Sequence, residues 1–371
     1  MKKNLLHQVC LGISTLSFLL AIILFFLKSD TSTGPFIIGG IFFMGISFQG
    51  YPSLKRYTYT TMILAAVACS LYYPGYFLEW DGFKLSRLIV PLLQVIMFGM
   101  GTSMSLNDFV NVVKEPKGVF IGVASQFIIM PMLGFILANV SGFEPEIAAG
   151  IILIGCSPSG LASNVMAFLA KANLALSLTI TSITTIIAPF VTPVLMNWLG
   201  GAFIKIDVLV MMKDISNIIL LPIAVGIIFN RLFSGKVKWL EQAMPLVSMA
   251  GIALIIVVIT AAGRDSLLQI GPLLILLTLI HNVCGYFLGY WSARMFKMKE
   301  SDARTVAIEV GMQNGGLASG IAKELGKIAT VGLAPAVFGP LMNVTGSILA
   351  SYWHARPPAD SLQSKEGPTS K

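Results

Sequence analysis

Twelve stretches of mostly apolar residues, each about the length a helix needs to cross the hydrocarbon core of a bilayer, succeed one another at residues 8–28, 35–51, 58–76, 86–104, 117–139, 145–169, 173–198, 207–231, 244–262, 267–293, 302–323 and 328–353. A chain written this way has little choice of architecture. No water satisfies the backbone in lipid, so each stretch must close its own hydrogen bonds as a helix. Composition agrees: 56% hydrophobic against 11% charged residues, with a mean hydropathy of +0.83, is too apolar for a soluble domain of 371 residues. The expected fold class is an all-α polytopic membrane protein.

Two of the stretches are interrupted. Gly-Leu-Ala-Ser occurs at Gly160 to Ser163 and again at Gly316 to Ser319, each time just after a run rich in Gly, Pro or Asn. The first run is Gly155-Cys156-Ser157-Pro158-Ser159, and the second is Gly311-Met312-Gln313-Asn314-Gly315. Paired breaks in corresponding spans mark the midplane site of a secondary transporter, because unwinding frees N–H and C=O groups to meet a solute. Close helix packing by small residues is the competing explanation for the repeat.

Setting aside the first two spans leaves ten, with the breaks in the fourth and the ninth. Five plus five is an odd number per repeat, which inverts the second repeat relative to the first. The expected organisation is two extra N-terminal transmembrane helices over 1–57, a five-helix repeat over 58–206, its inverted partner over 207–355, and a cytoplasmic tail over 356–371. With the N-terminus inside, 17 of the 25 Lys and Arg residues lie on the cytoplasmic side and 8 outside. The positive-inside rule thus places both termini in the cytoplasm. This bias, with attraction to anionic lipid, accounts for the net charge of +8; no soluble domain is present to carry a nucleic-acid surface.

Met1-Lys2-Lys3 before a long apolar run resembles a signal peptide, but the run reaches Leu27 without a small-residue cleavage site and is expected to be retained as a span. Cys10, Cys69, Cys156 and Cys284 are scattered singly and suit small apolar packing. His7, His281 and His354 lie in three separate regions and suggest no metal cluster.

Glu309 is the one acidic residue well inside a predicted span. A carboxylate there is costly and needs a cation or a proton. It could instead be a helix N-terminal carboxylate near the cytoplasmic surface, since Arg304 is five residues earlier. Gln313 follows Glu309 at i+4, Ser177 and Thr181 share that spacing on the span after the first break, and Ser163 and Asn164 follow that break directly. Single hydroxyls in membrane helices often only bond back to their own helix. Hydroxyl, amide and carboxylate oxygens together with unwound carbonyls are what a small hard cation requires.

The stretch from Met97-Phe98-Gly99-Met100-Gly101, through the first break to Ser163-Asn164, and on to Glu309-Val310-Gly311-Met312-Gln313-Asn314 closely resembles the bile acid:sodium symporter family, especially its bacterial members. The resemblance covers about residues 58–355. It implies two crossed, broken helices and uptake of an organic anion driven by two sodium ions. By position it implies a first sodium site of Ser163, Asn164, Ser177, Thr181 and Glu309. The second would comprise Gln126, Glu309, Gln313 and the backbone carbonyls of Val310 and Met312. It further implies a multi-pass protein of a bacterial inner membrane, with sodium, an organic anion and membrane lipid as its partners. Two departures bear on the substrate: Leu161 stands where close relatives often carry a Thr, and Met342 precedes Asn343 where they have a His.

Members of the family handle substrates from bile acids to small acids, and a small monocarboxylate is the preferred class here. Free N–H groups and positive dipole ends at Ser159-Gly160 and Gly315-Gly316 suit an anion; Asn314 is the nearest side-chain donor, and Leu161 and Asn343 complete the expected substrate set. Larger amphipathic acids stay open. So do a receptor that binds without transport and an intramembrane enzyme, although Glu309 lacks the second buried carboxylate or neighbouring nucleophile that an enzyme would need.

Overall fold

The computed structural model describes residues 2–27, 30–52, 54–104, 116–233 and 238–358. The expected tail beyond residue 358 and the basic residues Lys114 and Lys236 lie outside the described residues. The chain is an all-α polytopic membrane protein. Its helices are α1 (Lys2–Phe26), α2 (Asp30–Phe48), α3 (Thr58–Tyr72), α4 (Ile89–Ser103), α5 (Pro116–Val140), α6 (Pro145–Cys156) and α7 (Ala162–Leu169). There follow α8 (Leu174–Leu195), α9 (Val208–Phe233), α10 (Lys238–Ala262), α11 (Arg264–Met295), α12 (Glu300–Gly311), α13 (Gly315–Glu324) and α14 (Leu333–His354). Among the described residues, 7 helices are long and apolar enough to cross a membrane unaided.

The chain divides into two compact units. The first comprises Met1–Ser86 with Ala253–Asp265. Within it α2 packs against both α1 and α3. Small residues permit the approach: Ser14 donates to the Gly40 carbonyl at 2.7 Å, and a Cβ on Gly34 would stand 2.6 Å from the Tyr72 ring. The outer face of α1 is apolar and uncovered by protein, with Ile22 and Phe26 exposed, as a lipid-facing helix should be. Sequence periodicity missed a small hairpin after α3, in which Glu79–Trp80 pairs antiparallel with Phe83–Lys84. Asp81 and Gly82 form its turn with φ of 46° and 82°, the left-handed pair that tight hairpins favour.

The second unit comprises Arg87–Ile252 with Ser266–Lys371. Here α4 packs along α9, α5 packs along α6, and α12 is held between α5 and α8. The interrupted helices form the interior. Every residue from Ile147 to Cys156 on α6 and from Ala303 to Gly311 on α12 is buried. A helix apolar on all sides, as α6 is, belongs inside a bundle.

Each break has a local cause. Pro158 cannot donate to a helical ladder and disfavours helical geometry in the residue before it, and Ser157 is extended at φ −77° and ψ 155°. The second break has no proline. Met312 leaves the helix at φ −106° and ψ 105°, and α13 restarts where the Asn314 side chain accepts from the Leu317 N–H at 3.0 Å as an N-cap.

Candidate functional site

The two breaks meet. Gly160 N–H donates to the Met312 carbonyl and Asn314 N–H donates to the Pro158 carbonyl, both at 2.8 Å, so Ser159 and Gln313 pair as in a short antiparallel ladder. Gly160 is required by the approach: a Cβ there would lie 2.6 Å from the Gln313 carbonyl oxygen.

Glu309, fully buried in the last turn of α12, lies beside this crossing. Four hydroxyls converge on its carboxylate. Ser163 and Ser177 donate to Oε1 at 2.6 and 2.5 Å, and Ser159 and Thr181 donate to Oε2 at 2.6 and 2.8 Å. These come from the first break, from α7 and from one face of α8, where Ser177 and Thr181 are one turn apart. The Asn164 Oδ1 atom lies 2.9 Å from the Ser177 hydroxyl and 3.3 Å from that of Thr181. Each hydroxyl carries a single proton, so those directed at Glu309 leave Asn164 Oδ1 facing oxygen lone pairs. The cluster holds more acceptors than protons, a deficit that a cation or a further proton would fill.

Arg304 does not supply that positive charge. It pairs with Glu300 at 2.8 Å, also donates to the Trp353 carbonyl at 3.3 Å, and lies over the Trp353 ring. The N-terminal alternative for Glu309 is thereby overturned. The residue sits at the C-terminal end of its helix, where the macrodipole disfavours a carboxylate, and among the described residues no ion pair includes it. The described residues contain no group of three or more His, Cys, Asp or Glu suited to a metal ion.

A second polar group adjoins the first along α12. Gln126 on α5 donates to the Gln313 Oε1 at 2.7 Å and to the Ser157 carbonyl at 2.9 Å, and Gln313 donates to the Val310 carbonyl at 2.6 Å. The Met312 carbonyl already accepts from Gly160 and keeps a second lone pair. Thus Ser163, Asn164, Ser177, Thr181 and Glu309 form one network, while Gln126, Val310, Gln313 and Met312 gather beside it.

The residues expected around the anion are less concentrated. Leu161 is half-buried at the start of α7, and the Asn314 side chain is engaged as the α13 cap. A Cβ on Gly315 would meet the Pro335 carbonyl at 3.3 Å, and one on Gly316 would meet Leu93 at 3.3 Å, so both glycines back onto neighbouring helices. Asn343 bonds the Gly339 carbonyl of its own helix at 3.0 Å and has no recorded bond to either break. Ser159 was not foreseen as a partner of Glu309, because its hydroxyl reaches across 150 residues of sequence.

A multi-pass helical protein whose interior holds two meeting breaks and a buried carboxylate is built as an ion-coupled secondary transporter. Residues 90–270 match the model of the sodium/bile acid symporter family. The sodium-dependent transporter YocS of Bacillus subtilis is 40% identical over 270 residues, spanning 72% of this chain and 84% of that protein. A probable sodium/metabolite cotransporter of rice chloroplasts, BASS1, is 31% identical over 307 residues, covering 81% of this chain and 73% of its own. Its Arabidopsis thaliana namesake is 30% identical over 266 residues, 72% and 66% of the respective chains. The protein belongs to the sodium/bile acid symporter family, a family of sodium-coupled transporters and not of enzymes.

Proposed function

We propose that the protein is a sodium-driven symporter of a small organic monocarboxylate, working by alternating access between inverted five-helix repeats. The observation that carries this reading is the Glu309 cluster: a fully buried carboxylate ringed by Ser159, Ser163, Ser177 and Thr181 with no cationic side chain paired to it among the described residues. A hard cation coordinated by hydroxyl, amide and carboxylate oxygens would neutralise it, and sodium is the ion named for its relatives. A second sodium would take Gln126, Gln313, Glu309 and the carbonyls of Val310 and Met312. The carboxylate substrate would approach the crossing near Leu161, Asn314, Gly315 and Gly316, with Asn343 at the periphery. A bacterial inner membrane with both termini cytoplasmic is the setting that the charge bias and the Bacillus relative support.

Uptake of radiolabelled monocarboxylates into proteoliposomes, driven by an imposed sodium gradient, tests the proposal. Accumulation above equilibrium that collapses when choline replaces sodium is expected. Binding in detergent without accumulation in vesicles would show a receptor instead.

A further inference from the structure

A helix that stops inside a membrane strands its last carbonyls, and each needs a donor. On α12 those donors can be followed one by one. The Ile308 carbonyl accepts from Met312 N–H at 3.0 Å and the Val310 carbonyl from Gln313 at 2.6 Å, while the Glu309 carbonyl lies 2.9 Å from the Ser159 hydroxyl oxygen, whose one proton is directed at the Glu309 carboxylate. The next carbonyl, Gly311, lies between the two assigned to the second sodium. Its donor comes from another helix: the amide of Asn282 on α11, at 2.8 Å.

Asn282 is fully buried and doubly engaged. Its Oδ1 accepts from the Thr345 hydroxyl of α14 at 2.6 Å, which fixes the orientation of the amide. One turn further along α11, the Tyr286 ring packs directly against Gly311, closely enough that a Cβ on Gly311 would overlap it. Gly285 brings the α11 backbone up as well: a Cβ added there would stand 3.2 Å from the Gly311 Cα. One face of α11 therefore grips the peptide between Val310 and Met312 through a hydrogen bond and through packing.

The first break has a counterpart. Gln126 on α5, the helix before the first interrupted span, donates to the Ser157 carbonyl at 2.9 Å. The two Gly-Leu-Ala-Ser copies are offset by 156 residues, and the same 156 residues separate Gln126 from Asn282. Each break is thus braced by an amide at the corresponding place on the preceding helix.

We infer that Asn282 is a positioning residue for the second sodium. By holding the Gly311 carbonyl it sets the backbone angles that present the Val310 and Met312 carbonyls to the ion. The inference rests on the proposed sodium chemistry of those two carbonyls. Partners that orient metal ligands commonly cost about tenfold to a hundredfold in affinity when removed.

The test is a sodium chloride titration of thermal stability on the purified full-length protein in detergent, with choline chloride holding ionic strength. Asn282→Ala is expected to raise the half-saturating sodium concentration about tenfold or more and to make the titration shallower. Thr345→Val, which leaves Asn282 in place but frees its Oδ1, should shift it severalfold in the same direction; it decides the matter if the alanine variant does not fold. Thr278→Val is the control. Thr278 is equally buried on α11, but its hydroxyl bonds only the Leu274 and Ile275 carbonyls of its own helix. Its sodium response should match the unsubstituted protein. If Asn282→Ala and Thr345→Val lower sodium-free stability yet keep the original half-saturation, Asn282 is merely structural and the inference fails. If the unsubstituted protein shows no sodium response, the sodium reading itself fails, a result distinct from the first.

Discussion

Replacing Glu309 by glutamine separates the charge of the cluster from its shape. The amide has one oxygen where the carboxylate has two, so two of the four hydroxyl donors now face an NH2 group and must turn. At about 1 kcal/mol for each lost bond, the reorientation costs about 2 kcal/mol. Removing a buried, unpaired charge returns several kcal/mol. The sodium-free variant should therefore melt at or above the temperature of the unsubstituted protein. Sodium reverses the order. An ion present at about one hundred times its dissociation constant stabilises the state that binds it by about 2.7 kcal/mol per site. At roughly two degrees per kcal/mol, the low end for large domains, one site moves the midpoint by about 5 °C. Glu309→Gln should lose that shift, at both sites if the carboxylate is shared. The assay is thermal denaturation in detergent with sodium or choline chloride at equal ionic strength. A sodium shift retained by the variant would refute the assignment of Glu309 as an ion ligand; a variant melting well below the unsubstituted protein in choline would refute the balance of energies worked out above.

Thr181→Val removes a hydroxyl that lies 2.8 Å from the Glu309 carboxylate, whereas Thr179→Val removes one that bonds the Ala175 carbonyl of its own helix. Sodium affinity, read from the same titration, should fall about tenfold for the first and stay within twofold for the second; equal losses would mean that hydroxyls on α8 matter through packing. Gly160→Ala forces a Cβ towards the Gln313 carbonyl, so the ladder between the breaks must open, with a loss of about 2 kcal/mol or more in thermal stability and of sodium-driven uptake. Gly75→Ala, where nothing stands within 4 Å of the added atom, should leave both unchanged.

The helices and the breaks were legible because their signals are local. Apolar length marks a span, and Pro158 and the Asn314-Gly315-Gly316 run mark where spans must stop. Glu309 stood out as a lone acid, and Ser177 and Thr181 announced a shared face by their spacing. The partners of Glu309 were legible only in part. Spacing and position singled out Ser163, Ser177 and Thr181, but only family resemblance joined them to Glu309; Ser159 was not joined to it at all, since nothing in Pro158-Ser159-Gly160 tells which distant helix its hydroxyl meets. Arg304 shows the same limit in reverse: five residues from Glu309 on one helix, it turns instead to Glu300 and the end of α14. The hairpin at Asp81-Gly82 was missed for a different reason. Its turn dipeptide is a strong local signal, but strands of two residues carry no alternation to detect.

The seam between the breaks is made of main-chain atoms. Gly160 N–H to Met312 C=O and Asn314 N–H to Pro158 C=O require nothing from the side chains around them. Three seam residues are still constrained, Pro158 because it stops its helix, Asn314 because it caps the next one and Gly160 because it has no room for a side chain; the joint itself asks nothing of the side chains at the other positions. Scaffold and recognition are thereby separable tasks at one spot. On the proposed substrate reading, such a joint would give a lineage room to acquire new cargo by substitution at positions such as Leu161 while inheriting the same frame, and it would give an engineer the same freedom.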